Sequence, residues 1–351
     1  MRFVYFILLS ALMFSLSACE PSHQQQKQAS ASDKTEKDII PLKNGKADEV
    51  EGWLNDHTIL YTASDPTKSE LFAYDLFKGK AQKLYETEGQ MVDVQINENR
   101  HMILLQITHS QRTAIVLLDQ NGKKLYDKNY ETYELEAAWN QYNPYQIMVT
   151  VFTQDWDFDT YVVDAKKGHS KESPIQVPFI HWTSADTFEY IKNGKNIDSG
   201  PLYTYDLNTK REKKQLDDVL AIDSFQNMRL AVKSASDENG TFIFQWPGAD
   251  SSVTYELPLQ TKYSSLSPME YDYDESGRLF YTFTQSGGAY KLIEVDLESK
   301  KKRDILDSAE MEPIQISPNG QFALYGYQFD RIISLKTHKV EPIITENVKG
   351  D

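Results

Sequence analysis

Apolar and polar residues alternate through most of this chain with the period of two expected of strands, and short turn-forming clusters interrupt the alternation. The clearest instance is Ile314-Gln315-Ile316-Ser317-Pro318-Asn319-Gly320-Gln321-Phe322-Ala323-Leu324-Tyr325. Pro pre-sets φ for the first central turn position, and Asn-Gly tolerates the positive φ of a tight reversal, so the segment predicts a β-hairpin. The apolar residue before that turn, Ile316, has counterparts at Tyr273, Phe225, Trp182, Trp139, Ile96 and Trp53. Neighbouring anchors lie 43 residues apart, except for 48 between Phe225 and Tyr273. Each anchor is followed by a turn cluster (Asn55-Asp56, Asn97-Glu98-Asn99, Asn140 to Pro144, Ser184-Ala185-Asp186, Gln226-Asn227, Asp274 to Gly277) and then by another apolar run.

A second signature keeps the same period. Leu71 to Leu76 runs into Lys78-Gly79-Lys80, Leu202 to Leu207 into Asn208-Thr209-Lys210, and Leu292 to Leu297 into Glu298-Ser299-Lys300, with weaker copies elsewhere. Each unit therefore reads strand, turn, strand, loop, strand, turn, strand. A period near 43 lies in the range of four-stranded propeller blades, and seven anchors predict a seven-bladed, all-β propeller with four antiparallel strands per blade. A β-sandwich would also supply many short strands, but it does not impose a constant spacing. Segments such as Met102 to Leu105 and Ala114 to Leu118 are apolar on both faces, as strands covered on both sides must be. The aromatic residues suit this packing, and the equivalently placed Trp53, Trp139 and Trp182 are expected to be structural.

The first residues depart from the pattern. Arg2 is followed by an apolar stretch from Phe3 to Leu16, too short to span a bilayer comfortably and shaped like a secretory signal peptide. It ends in Leu16-Ser17-Ala18-Cys19, which resembles the lipobox of bacterial lipoproteins. The resemblance implies residues 1–18 as a lipoprotein signal peptide and Cys19 as a lipidated first residue, with palmitate among the anchoring chains. Cys19 is also the only cysteine, so no internal disulfide is available to it. Residues 19–38 are rich in Gln, Ser, Ala and Lys, and such composition predicts a disordered tether spanning about 25 Å on average. The propeller is expected over 39–351 as one domain, because a ring grows by repeating blades rather than by enlarging one core. Ile39 to Leu42 reads either as an outer strand closing the last blade or as a segment packed against it.

Net charge is −15, becoming −16 once Arg2 is removed with the signal peptide. That balance argues against nucleic-acid binding and against attraction to anionic lipid or wall polymers. The membrane is therefore expected as a partner through the lipid alone, and one acyl chain would bind only marginally. The expected location is extracytoplasmic, at the cell membrane.

The chain lacks a Gly-x-Ser-x-Gly elbow, a dinucleotide-binding glycine pattern, a phosphate-binding loop and a His-Glu-x-x-His pair. The seven His are scattered, and His181, beside Trp182, reads as a hydrogen-bonded core residue. No catalytic residue is assigned. One cluster stands out, Asp155-Trp156-Asp157-Phe158-Asp159. If extended, it would put three carboxylates on one side, hard oxygen ligands of the kind Ca²⁺ takes. It also reads as a solvated acidic hairpin tip, so no cofactor or metal is expected, with Ca²⁺ as the alternative. In a propeller, the loops between second and third strands share one rim with the inter-blade linkers. That rim is the expected binding face, with Tyr133, Trp156 and Tyr263 as exposed aromatic contacts beside Asp155, Asp157 and Asp159.

The Ser317 to Gly320 turn, with Ile316 before it and Phe322 after it, resembles the repeat of TolB-type and WD40-like propellers. The plan of lipobox, Gln/Ser tether and divergent propeller is similar to the YqgU-type lipoproteins of Bacillus-like bacteria. That resemblance implies a lipid-anchored propeller and carries over no activity or catalytic residue. The plan also resembles assembly lipoproteins of the BamB type, whose eight-bladed repeat signature is missing here. The expected function is a non-enzymatic scaffold holding a protein or cell-envelope partner. The alternative is a hydrolase or lyase acting on envelope glycan or a lactone through acidic groups at the central channel.

Overall fold

The computed structural model describes residues 38–42, 47–110, 112–192, 199–249, 251–262 and 265–345, and from Ile39 the chain forms one compact unit. It is an all-β propeller. The first sheet holds β1 (Glu49–Asn55), β2 (Thr58–Ser64), β3 (Lys68–Asp75) and β4 (Lys80–Glu88) in that order. The second holds β5 (Gln90–Asn97), β6 (Met102–His109), β7 (Arg112–Asp119) and β8 (Lys124–Glu131). The third holds β9 (Glu134–Trp139), β10 (Gln146–Phe152), β11 (Phe158–Asp164) and β12 (His169–Glu172).

An eight-stranded sheet follows, comprising β13 (His181–Trp182), β14 (Thr187–Ile191), β15 (Gly200–Asp206), β16 (Arg211–Phe225), β17 (Met228–Ser234), β18 (Asn239–Gln245), β19 (Val253–Lys262) and β20 (Ser265–Pro268). Then come β21 (Tyr271–Asp274), β22 (Leu279–Ser286), β23 (Ala289–Asp296) and β24 (Lys302–Ala309). The last sheet holds β25 (Ile314–Ile316), β26 (Phe322–Tyr325), β27 (Arg331–Ser334) and β28 (Val340–Pro342). Every pairing within these sheets is antiparallel.

The anchors fall in β1, β5, β9, β13, β16, β21 and β25. Trp53, Trp139 and Trp182 are buried, as their repeat positions predict. Two of them stitch neighbouring sheets together. Trp182 Nε1 donates to Ala138 O at 2.9 Å, and Trp53 Nε1 donates to Gln315 O at 3.0 Å across the seam between the first and last sheets. Strand β6 is buried from Met102 to Ile107, so both of its faces are covered. The Ser317 turn forms as its sequence dictates: Ser317 Oγ accepts from Gln321 N and Phe322 N at 3.1 and 3.0 Å, and Gly320 takes φ +65°.

The segment before β1 closes the ring. Leu42 makes a parallel bridge to Ile344, its N–H donating to Ile343 O at 2.6 Å. Two residues earlier the same segment leans on the first sheet, where Ile40 N donates to Leu76 O and Tyr74 Oη donates to Ile40 O, both at 2.8 Å. Of the two readings of Ile39 to Leu42, packing is the one found: the segment touches the chain beyond β28 by a single parallel bridge, leans on the first sheet, and adds no strand to the four of the last sheet.

Leu42 is buried in a cluster shared by the first and last sheets. Leu42→Ala should therefore cost about 2–5 kcal/mol and lower the melting temperature of the full-length protein in detergent, followed by circular dichroism. An equally large truncation at the exposed Leu125 should leave it nearly unchanged.

Candidate functional site

The turns after the anchors emerge on one face, and the second-to-third-strand loops emerge on the other with the linkers between sheets. The second face carries the apolar surface. Among the described residues eight large apolar side chains are exposed, and five lie on this face: Tyr327, in the β26–β27 loop of the last sheet, and Val92, Tyr133, Trp156 and Phe179 on the second and third sheets, these four each about 60% exposed. Tyr133 lies in the β8–β9 linker, Trp156 in the β10–β11 loop and Phe179 in the β12–β13 linker. Their rings form a connected group around Phe152. Trp156 lies 5.9 Å from Phe152 and 6.3 Å from Tyr133, and Phe179 lies 6.2 Å from Phe152.

The β10–β11 loop is built to project Trp156. Thr153 N donates to Asp157 O at 2.9 Å and Trp156 N donates to Thr153 O at 3.1 Å, closing a tight turn. Trp156 sits at φ +64°, a conformation that costs a non-glycine residue about 1 kcal/mol or more. This differs from the extended reading of Asp155 to Asp159, because the reversal falls inside the segment and β11 begins only at Phe158. Asp155, Asp157 and Asp159 are all exposed around the turn. Among the described residues no three His, Cys, Asp or Glu side chains are grouped so as to hold a metal ion. Tyr263 and Cys19 lie outside the described residues.

Beside Tyr133 a cavity of about 450 Å³ opens between the second and third sheets, lined by Val92, Asp93, Gln95, Glu134 and Glu136 among others, and by no basic side chain. Asp93 is oriented by Gln95 Nε2 and Gln106 Nε2, each donating to its Oδ2 at 2.8 Å. Burial, then the neighbouring Asp93, pushes the Glu136 carboxyl above its ordinary range.

The opposite face has a second cavity, of about 340 Å³, at the mouth of the axis. Its walls come from the ends of β5, β16, β21 and β25, strands that only the central axis can bring together. Asn99 Nδ2 donates to Gln226 Oε1 and Tyr142 Oη donates to Phe225 O at 3.2 Å, so side chains from the second and third sheets reach β16 and its turn across the mouth. Burial, then the charges of Asp272, Glu275 and Asp56, pushes Glu98 up to about 8. Burial likewise raises Asp272 to about 7, although Ile316 N donates to its Oδ2 at 2.5 Å. Glu51 is pushed up to about 7 by burial, against the Thr62 hydroxyl that donates to it at 2.6 Å.

Between these groups His181 Nδ1 lies 3.6 Å from Asp223 Oδ1, and Tyr271 Oη donates to Asp223 Oδ2 at 3.1 Å. His181 is thus not a core histidine; its side chain is 38% exposed and faces a carboxylate. The sequence reading missed these inner-strand carboxylates, together with Phe179 and Val92. The signal for several of them was the residue just before an anchor, as with Asp272 before Tyr273 and His181 before Trp182.

The comparisons with known proteins agree with this architecture. Residues 75–326 match the YqgU-like 6-bladed beta propeller domain family. The chain is 62% identical over 346 residues to the "Uncharacterized lipoprotein YqgU" of Bacillus subtilis (strain 168), covering 99% of this chain and 98% of that one. Like that relative, it is a lipid-anchored extracytoplasmic protein of the cell membrane. Among solved structures, uncharacterized protein lmo1340 from Listeria monocytogenes EGD-e superposes with a TM-score of 0.81 at 23% identity, over 90% of this chain and all of that one. The C-terminal WD40 domain of Sif2 gives a TM-score of 0.54 at 13% identity, over 90% of each chain. These two likenesses bear on the fold alone.

The raised carboxylates fix a pH dependence. Folded Glu98 keeps its proton up to about pH 8, whereas the unfolded chain releases it near 4.5. Between those values the folded state binds more protons, so stability must fall as pH rises through the window. The melting temperature of the full-length protein should drop between pH 6 and pH 8.5, and Glu98→Gln should flatten that slope and raise the value at pH 8.5.

Proposed function

Since the chain belongs to the YqgU-like β-propeller family, we propose that it is a non-enzymatic binding scaffold, held outside the membrane by acyl chains on Cys19 and a tether over residues 19–38. Its partner docks on the rim that carries Tyr133, Trp156 and Phe179. The observation that carries this reading is Trp156 itself. An exposed indole leaves apolar area in water, and its left-handed backbone adds a further cost. A contiguous exposed apolar patch is the usual mark of an interaction surface.

We read the ring as seven-bladed. The seven anchors each occupy the first strand of a four-stranded repeat. The eight-stranded sheet divides inside β16, where Arg211 to Leu216 pair with β15 and Ala221 to Phe225 pair with β17. The six-bladed family description was matched over 75–326, a span that omits almost all of the first three strands and the last two.

Site-specific photo-crosslinking in the native membrane tests the docking face. A benzophenone side chain at position 133 or 156 should give discrete adducts, and one at Leu125, on the opposite face, should give none. Adducts of equal yield from all three positions would remove the proposal.

A second reading has its own support. Glu51, Glu98 and Asp272 all hold protons near neutrality, as a general acid acting on envelope glycan requires. Under it, full-length protein would release soluble fragments from purified wall glycan, and Asp272→Asn would reduce that release by at least a hundredfold. The scaffold reading expects no release.

A further inference from the structure

Resting on the rim as the docking surface, we propose that its occupant is a basic polypeptide segment with apolar flanks. Apolar side chains lie against Tyr133, Trp156 and Phe179, and an ammonium or guanidinium group enters the acidic cavity beside Tyr133. Such a segment is complementary to the rim in charge and in shape. The cavity presents Asp93, Glu134 and Glu136 with no basic residue in its lining. Along the chain Asp155 and Asp157 flank Trp156, and both, with Asp159, are exposed. A cation at this rim is attracted by both groups of carboxylates, and the exposed ring of Tyr133 adds a cation–π contact.

The same features disfavour other occupants. A second copy of this chain would bring like charge against like charge, at a net −16 each once Arg2 is removed. An anionic lipid or wall polymer meets the same repulsion. A sugar stacks on a flat ring face, whereas Tyr133 and Trp156 stand at 80° to each other and make a cleft instead of a platform. Apolar side chains of a peptide fit such a cleft, as they fit the pockets of peptide-recognition grooves.

The test uses full-length lipoprotein in phosphatidylcholine nanodiscs and three fluorescent dodecapeptides, read by anisotropy. One alternates Lys with Trp and Leu, the second replaces Lys by Glu, and the third keeps Lys but replaces Trp and Leu by Ser. The proposal expects the first to bind at least tenfold tighter than either of the others. Tyr133→Ala/Trp156→Ala should weaken it about tenfold, and so should Glu134→Gln/Glu136→Gln, the latter with a shallower salt dependence. If the Glu peptide binds as tightly and the Gln variants change nothing while the Ala variants still weaken binding, the basic partner falls and the docking surface stands. If the Ala variants change nothing, both fall. Two further results would overturn the basic-peptide assignment: a dimer by sedimentation that Tyr133→Ala/Trp156→Ala dissolves, or a chitin oligosaccharide that binds at Trp156 while the peptides do not.

Discussion

A strand that is apolar on both faces has no stable place except between two other layers. That single constraint organises this protein. β6 is buried from Met102 to Ile107 and β7 from Ile115 to Leu118, so the second sheet must be covered from both sides, and the same demand passes to its neighbours. A row of such sheets ends in an uncovered face unless it closes on itself. Closure is achieved at the seam by Trp53 reaching Gln315 and by the Leu42 segment, which bridges to Ile344 just beyond β28 while leaning on the first sheet. Packing thereby settles almost every inward residue, and the loops on the two faces are left to differ.

Those faces differ in kind. Along the axis, burial and then the charge of neighbouring carboxylates suppress ionisation, and the mouth beside Glu98 is spanned by Asn99 and Gln226. On the opposite rim, aromatic rings are exposed beside the acidic cavity and on a loop that carries Asp155 and Asp157. Positive charge is attracted to either face, and the axial mouth has apolar walls of its own in Ile96, Phe225, Tyr273, Ile316 and Pro318. Only the rim, however, carries a group of large apolar side chains each about 60% exposed, which is why docking is proposed there and proton-linked stability is sought at the axis.

How far the sequence could be read followed from which residues obey the repeat. The anchors, the turns and the buried tryptophans repeat every blade because every blade faces the same packing demand. Tyr133 and Trp156 could be placed on one rim because strand count alone decides which loops share a face. Phe179 escaped notice because the long linker before β13 has no periodicity to position it. Asp155 to Asp159 was legible as a loop but not as a shape, since the left-handed turn at Trp156 is set by backbone hydrogen bonds that composition does not reveal. His181 and Asp272 sit next to anchors and shared their apolar strand pattern, so their exposure to a polar axis emerged only when the ring was closed.

The most direct measurement is hydrogen–deuterium exchange on the full-length lipoprotein in its native membrane, compared with the same protein in detergent alone. The account predicts added protection confined to the segments around Val92, Tyr133, Phe152 to Phe158 and Phe179. Protection appearing instead at Glu98 to Arg100, Gln226 and Asp272 to Glu275 would place the partner at the axial mouth and contradict it.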